Sequence, residues 1–169
     1  MSVKRLALIL FLLLWASASA AEIKPFLADS LQQIKQARQG QPFMLVLWSL
    51  DCPPCMRELD TLNNSAKAIP AGRLVLVSTD TQASESELTD LLQKFKLAGR
   101  DNWVFADSYS ERLRFSIDPQ WSGELPRAYL YKSDHRRSAN SGLLSETQLQ
   151  QWLQTVGADD KRVPGYDHE

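Results

Sequence analysis

Apolar and polar residues follow one another along this chain in blocks that predict alternating strands and helices. Residues 43–48 and 73–78 contain apolar runs too continuous for half-exposed strands, and they predict central strands covered on both faces. Apolar residues at helical spacing occur in residues 22–40, 84–95 and 145–156, and the last two stretches open on a capping-box pattern. The remaining predicted elements are a helix that begins directly after Cys52 and continues through residues 56–59, strands at residues 103–105, 128–131 and 137–141, and a short helix at residues 110–115.

Strands that alternate with helices, followed by a hairpin and a final helix, predict an α/β fold with a mixed central sheet flanked by helices. Right-handed crossovers between parallel strands place the carboxyl end of the first central strand at the edge where open α/β sheets carry their functional sites. We therefore expect the functional residues of the protein to lie directly after Trp48 in the sequence.

The motif after that strand is Cys52-Pro53-Pro54-Cys55, and helix-compatible residues follow it. A strand, a Cys-x-x-Cys motif and a helix start in this order are typical of a redox-active dithiol. Cys52 would precede the helix, where free N–H groups and the helix dipole stabilise a thiolate, so we expect it to be the attacking thiol. Cys55 would lie in the first turn of the helix and act as the resolving thiol. Pro53 and Pro54 would tune the couple, and Pro54 fits a first turn without losing a helical hydrogen bond.

The N-terminal segment is similar to a secretory signal peptide over residues 1–20. Lys4 and Arg5 form a basic start, residues 6–15 are apolar but too short to span a membrane comfortably, and Ala18-Ser19-Ala20 offers an Ala-x-Ala cleavage site. We expect cleavage near Ala20, with an uncleaved N-terminal anchor as the alternative.

The 169-residue chain is long enough for one domain with a hydrophobic core. We predict that this domain spans residues 21–157 and that residues 158–169, which are polar and lack periodicity, form a flexible tail. The formal net charge is −1, and it becomes −3 when the two basic residues of the signal peptide are removed. This mild balance argues against nucleic acid as a partner.

Both cysteines of the chain lie in the one motif. A purely structural disulfide is a weaker explanation for them, because so short a loop restricts the unfolded chain little. Zinc would need two further ligands, and the two histidines, His135 and His168, lack a paired spacing. We therefore expect neither a metal nor another cofactor.

Residues 47–58, Leu-Trp-Ser-Leu-Asp-Cys-Pro-Pro-Cys-Met-Arg-Glu, resemble the strand, Cys-x-x-Cys and helix segment of the thioredoxin-like family, in particular its TlpA/ResA-type periplasmic thiol–disulfide oxidoreductases. Residues 125–131, Leu-Pro-Arg-Ala-Tyr-Leu-Tyr, resemble the loop and strand that carry the family's cis-proline. The similarity extends over residues 42–156. It implies a thioredoxin-like fold with an extra strand–helix unit between the Cys-x-x-Cys motif and the cis-proline loop.

The resemblance also implies roles for three further residues. The Leu125–Pro126 bond would be cis and face the cysteines, and the Leu125 backbone would bind an extended substrate peptide as a strand does. Glu58 stands where ResA-like proteins have an acid near the disulfide, and it would transfer protons during thiol exchange from one turn beyond Cys55. The alternatives are an ordinary trans loop proline at Pro126 and an exposed helix acid at Glu58.

Two positions depart from the family pattern. Asp51 precedes the first cysteine, where the family commonly has Trp, and its negative charge would raise the pKa of the Cys52 thiol and bias the couple toward a reductase. Val46 occupies the position of the buried acid of thioredoxin, which leaves Glu58 as the candidate for proton handling. Trp48 lies in a buried strand, and we expect it to pack in the core.

The leading hypothesis is an exported enzyme that mainly reduces disulfides of envelope proteins. The resemblance implies a periplasmic location and, because an oxidising periplasm does not regenerate the dithiol, a membrane thiol-transfer electron donor of the DsbD/CcdA kind. One alternative is a thiol oxidase or isomerase with the same residues and the opposite redox poise. Another is a Cu(I)-binding protein, although no cluster of Met or His accompanies the two thiols. We expect a monomer, since no interface signal is evident.

Overall fold

A six-stranded mixed sheet lies between two layers of helices in the computed structural model, which describes residues 22–160. The strands are β1 Ile23–Phe26, β2 Phe43–Trp48, β3 Leu74–Ser78, β4 Asp101–Phe105, β5 Arg127–Tyr131 and β6 Arg137–Ser141. The helices are α1 Ser30–Ala37, α2 Pro53–Asn64, α3 Glu85–Lys94, α4 Ser110–Ile117 and α5 Glu146–Asp160.

The sheet joins a parallel half to an antiparallel half, and β2 lies at the junction. Its strand order is β1-β4-β3-β2-β5-β6. The neighbours β1 and β4, β4 and β3, and β3 and β2 are parallel, whereas β5 is antiparallel to β2 and to β6. Every residue of β2 and β3 is buried, as the continuous apolar runs predict. The expected mixed α/β sheet is therefore confirmed.

The core consists of two hydrophobic clusters, one on each face of the sheet. Side chains of a strand alternate between the faces, so Met44 and Val46 contribute to one cluster and Leu45 and Leu47 to the other. Helices α2, α3 and α5 cover the first face, and α1 and α4 cover the second. Trp48 is 1% exposed and packs in the first cluster together with both cysteines, in agreement with its expected core position.

The prediction of one helix over residues 22–40 is wrong. Residues 23–26 form β1, which pairs in parallel with β4, and α1 begins only at Ser30. Pro25 has no N–H to donate to a neighbouring strand, and it is tolerated because β1 lies at the edge of the sheet. Of the apolar stripe on which the prediction rested, Leu31 and Ile34 are buried on α1, whereas Leu27 is 45% exposed.

Two strand–helix units, β3–α3 and β4–α4, lie between the Cys-x-x-Cys motif and Pro126, and they accommodate the extra unit that the resemblance implies. Both capping boxes are present. Ser84 caps α3 reciprocally with Glu87, and Ser145 and Gln148 exchange the corresponding backbone and side-chain hydrogen bonds at the start of α5.

The last helix extends beyond the predicted domain boundary at residue 157. It continues to Asp160, so the first three residues of the predicted flexible tail are helical. No proline occurs in the sequence between Ser145 and Pro164, and Gly157 is tolerated inside the helix. The predicted signal peptide, residues 1–20, and residues 161–169 of the predicted tail lie outside the described residues. Between residues 22 and 160, no helix is long and apolar enough to cross a membrane.

Candidate active site

Cys52 and Cys55 form a disulfide at the amino end of α2, with an S–S distance of 2.04 Å and a Cα–Cα distance of 5.2 Å. Cys52 is the N-cap residue, and Pro53 and Pro54 occupy the first two positions of the helix. The N–H of Cys55 donates to the carbonyl of Cys52 at 2.8 Å and to its Sγ at 3.2 Å. The Cys52 sulfur thus lies where the helix N–H groups and the dipole favour negative charge.

The two cysteines differ in accessibility. Cys52 is 9% exposed, and Cys55 is fully buried. Of the two cysteines, Cys52 is therefore the one accessible from solvent.

The Leu125–Pro126 peptide bond is cis, as the resemblance implies. β5 runs antiparallel beside β2, and extending their register by one residue brings Pro126 opposite Trp48, close in sequence to Cys52. Pro126 is buried, and its carbonyl accepts the N–H of Gly142 at 2.9 Å. The sheet therefore brings the proline loop and the start of the Cys-x-x-Cys segment to the same edge.

Leu125 is half-buried, and its side chain contacts both hydrophobic clusters. Among residues 22–160, no hydrogen bond uses its backbone N–H or its carbonyl. The main chain of Leu125 thus keeps a donor and an acceptor that no described residue uses.

Glu58 is not the exposed helix acid of the alternative interpretation, since it is only 1% exposed. One carboxylate oxygen, Oε2, accepts the N–H of Leu144 at 3.0 Å, and Oε1 has no hydrogen-bond partner among the described residues. Burial raises the pKa of Glu58 to about 7, and the hydrogen bond from Leu144 only partly opposes this rise. The carboxyl group can thus exchange its proton near neutral pH.

The segment 142–144 connects this carboxyl group to the proline loop. Gly142 donates to the Pro126 carbonyl, and Leu144 donates to Glu58. The side-chain amide of Asn140 donates to the carbonyls of residues 142 and 143 at 2.8 and 3.3 Å, and Gln148 donates to Asn140 Oδ1 at 2.9 Å. Sequence reasoning missed Asn140 because the two carbonyls to which it donates belong to a loop without periodicity.

Asp51 is exposed in the connection between β2 and Cys52, and its N–H donates to the hydroxyl of Ser49 at 3.3 Å. Asp80, which sequence reasoning assigned only to a polar loop, binds this connection through its carboxylate. The signal that could have found it is its position just after β3, at the carboxyl edge of the sheet next to β2. A groove of about 900 Å³ beside the connection is lined by residues that include Asp51, Asp80 and Asp90.

Within the described part of the chain, no group of three or more His, Cys, Asp or Glu side chains is arranged to hold a metal ion. The chemically reactive groups on α2 are the Cys52–Cys55 pair and the buried Glu58 carboxyl group.

No protein-family model matches the chain, and no curated protein matches it by sequence. Similar solved structures include a secreted disulfide oxidoreductase of Mycobacterium tuberculosis described as homologous to E. coli DsbE, with 22% identity, a TM-score of 0.55 and coverage of 70% of this chain and 84% of that chain. A DsbF homologue of Corynebacterium diphtheriae has 14% identity, a TM-score of 0.57 and coverage of 71% and 74%.

A thioredoxin-family thiol:disulfide interchange protein of Chlorobium tepidum has 12% identity, a TM-score of 0.56 and coverage of 72% of this chain and 83% of that chain. At sequence identities this low, the structural similarity shows the fold alone. The protein therefore has the thioredoxin-like fold, in the form found in these thiol–disulfide oxidoreductases, and it carries a Cys52–Cys55 disulfide at the amino end of a helix.

Proposed function

We propose that this protein is an exported thiol–disulfide oxidoreductase that acts mainly as a reductase of disulfides in envelope proteins. The observation that carries the proposal is the Cys52–Cys55 pair, whose outer sulfur accepts an N–H of the helix amino end. A sulfur in this position is stabilised as a thiolate, which is the form that attacks disulfides.

In the proposed reaction, the reduced protein attacks one sulfur of a substrate disulfide with the Cys52 thiolate. An S–S bond forms between Cys52 and the substrate, and the other substrate sulfur leaves as a thiolate and takes up a proton. Cys55 then loses its proton and attacks the Cys52 sulfur. This step releases the second substrate thiol and leaves the Cys52–Cys55 disulfide, so two electrons pass from the protein to the substrate.

Glu58 is the proposed acceptor of the Cys55 proton. It lies three residues after Cys55 on α2, so the two side chains lie on the same side of the helix. Its pKa, raised to about 7 by burial, lets the carboxyl group both accept and return a proton near neutral pH. Because Cys55 is fully buried, a buried acid is better placed than solvent to take its proton.

Leu125 is the proposed docking residue for the substrate. Its unpaired backbone N–H and carbonyl would add an extended substrate segment beside the proline loop, and Pro126 would hold that loop at the edge shared with Cys52. Main-chain recognition of this kind tolerates many side chains, which suits an enzyme acting on several protein disulfides.

The direction of electron flow is the finer part of the proposal. Asp51 places a negative charge next to Cys52, which disfavours the thiolate and makes the couple less oxidising. An enzyme that delivers electrons in an oxidising envelope needs its dithiol regenerated, so we propose a membrane thiol-transfer protein as its donor. The alternative, an oxidase or isomerase, would use the same residues with a higher potential.

The deciding experiment is the reduction potential of the Cys52–Cys55 couple, measured by alkylation trapping in graded glutathione and dithiothreitol buffers. We expect a value near or below that of thioredoxin, about −270 mV. A value near that of DsbA, about −120 mV, would instead establish an oxidase. Asp51→Asn is the matched variant: it is expected to lower the pKa of the Cys52 thiol and raise the potential, and an unchanged pKa would reject the assigned role of Asp51.

The roles of the two thiols are tested by trapping. Cys55→Ser is expected to accumulate a mixed disulfide between Cys52 and a protein substrate, because the resolving thiol is absent. Cys52→Ser is expected to form none, since Cys55 is fully buried. Trapping by the second variant instead of the first would reverse the assignment.

A further inference from the structure

The connection from β2 to Cys52 is held by the carboxylate of Asp80, which lies two residues after the end of β3. Asp80 Oδ2 accepts the N–H of Leu50 at 2.9 Å, and Asp80 Oδ1 accepts the hydroxyl of Ser49 at 2.7 Å. The hydroxyl of Ser78, the last residue of β3, donates to Oδ2 at 2.7 Å. Three donors therefore converge on a single half-buried side chain.

The neighbouring backbone completes this anchor. The N–H of Thr79 donates to the carbonyl of Trp48 at 2.9 Å, which continues the β2–β3 pairing past the end of β3. Asp80 follows at the next position, so the parallel register brings its carboxylate level with residues 49–51. The hydroxyl of Ser49 in turn accepts the N–H of Asp51, the residue next to Cys52.

We propose that Asp80 is a positioning residue for the redox site, whose carboxylate fixes residues 49–51 in the arrangement that presents Cys52 to a protein substrate. The inference rests on the proposed function, and it adds a residue whose hydrogen bonds go to residues 49, 50 and 78 and not to the cysteines. Residues 49–51 leave β2 at the edge where Pro126 enters β5, since β2 and β5 are antiparallel neighbours. Movement of this segment would alter the space between Cys52 and Leu125, the proposed docking residue.

A positional role makes a selective kinetic prediction. A docked protein disulfide must meet Cys52 at a defined distance and angle, and small displacements of reacting atoms reduce rates strongly. A small aromatic disulfide reagent such as 5,5′-dithiobis(2-nitrobenzoic acid) needs no docking. Cys52 itself remains the N-cap of α2, so its thiolate reactivity toward the small reagent is preserved when residues 49–51 loosen.

The test compares Asp80→Asn with Asp90→Asn in the full-length protein. Asp90 lines the same groove but takes part in none of these hydrogen bonds, so it controls for the loss of one negative charge. In the reaction of the reduced enzyme with a model protein that contains a disulfide, we expect Asp80→Asn to lower kcat/KM by about tenfold. The rate constant of the same variant with the small reagent should stay within about twofold of wild type. Asp90→Asn should change neither rate.

Two further measurements keep the result interpretable. Hydrogen exchange of the Leu50 N–H in the oxidised protein should accelerate in Asp80→Asn and not in Asp90→Asn, whether or not any substrate is reduced. Ser49→Ala removes one of the three donors to Asp80, and it should lower kcat/KM for the protein disulfide by less than Asp80→Asn does. Equal effects of the two aspartate variants, or parallel losses toward both kinds of disulfide, would overturn the proposal. Failure of the wild type on every protein disulfide would reject the proposed function instead, and the exchange result would still decide whether Asp80 anchors the segment.

Discussion

Two carboxyl groups lie buried on opposite faces of the sheet, and their pKa values are shifted in opposite directions. Glu58 lies on the helix that carries Cys55. Among residues 22–160 it has one hydrogen-bond donor and no cationic partner, and burial raises its pKa to about 7. Asp118, on the other face, is 8% exposed. Its carboxylate accepts from Tyr129 at 3.0 Å and from Gln120 at 3.1 Å, and pairs with two arginines.

The hydrogen bonds that Asp118 accepts from Gln120 and Tyr129, together with its two arginine partners, make the difference. Burial alone would raise the pKa of Asp118 as well, but the donors, together with the charges of Arg137 and Arg127 at 3.3 and 3.2 Å, lower it below its ordinary value. A buried carboxyl group therefore titrates near neutral pH or stays a fixed anion according to its partners. The fixed anion serves structure here: it holds Arg127, the residue directly after Pro126.

The largest expected effect is on the fixed anion. Asp118→Ala leaves Arg127 and Arg137 without their common partner and is expected to lower the free energy of unfolding by about 3 kcal/mol. Urea denaturation of the oxidised protein measures this loss. Asp134→Ala removes an exposed carboxylate that pairs with Arg136, and it should leave the midpoint unchanged. A loss at Asp118 no larger than at Asp134 would remove the distinction between the two carboxylates.

The pH dependence of stability should have opposite signs at the two sites. Glu58 ionises near 4.5 in the unfolded chain and near 7 in the folded protein, so its contribution to stability is complete below pH 4.5 and is lost as the pH rises through 7. The loss amounts to about 3 kcal/mol. Asp118, with its lowered pKa, contributes stability above its ordinary pKa of 3.8, and this is lost as the pH falls through its folded value.

Glu58→Gln separates these contributions. Relative to wild type, the variant should lose the decline in unfolding free energy between pH 4.5 and 7, and it should keep the acid-side decline that Asp118 produces. Denaturation curves of the oxidised proteins at several pH values give both slopes. A wild-type decline that persists in Glu58→Gln would show that another group titrates in this range.

The smallest expected effect concerns the loop that supplies the Leu144 N–H, which donates to Glu58. Asn140→Ala removes the amide that holds the carbonyls of residues 142 and 143, at a cost of about 1 kcal/mol. A weaker Leu144 hydrogen bond should raise the pKa of Glu58 further, because this bond is what opposes the effect of burial. Carbon-13 NMR of the carboxyl group reads the pKa directly, and Ser138→Ala on the same strand is the control. An unmoved pKa would show that the loop keeps its position without Asn140.

Sequence patterns predicted most of the parallel sheet and the centre of the redox site. The runs at β2 and β3 predicted buried strands because a continuous apolar run has no polar face to leave in water. The Cys-x-x-Cys motif before a helix start predicted the N-cap position of Cys52, since helix ends are local in sequence. The strand β1 was missed because four residues with a proline carry little periodicity, and only pairing with β4 makes them a strand.

Local order along the chain thus determined the strands, the helix starts and the place of the two cysteines, because each depends on residues within a few positions of one another. Tertiary structure alone decided the ionisation of Glu58, whose donor Leu144 lies 86 residues away, and the anchoring of residues 49–51 by Asp80. Burial and hydrogen-bond partners are properties of segments that meet only after folding, so a pKa or a positioning contact is absent from any stretch of sequence read by itself.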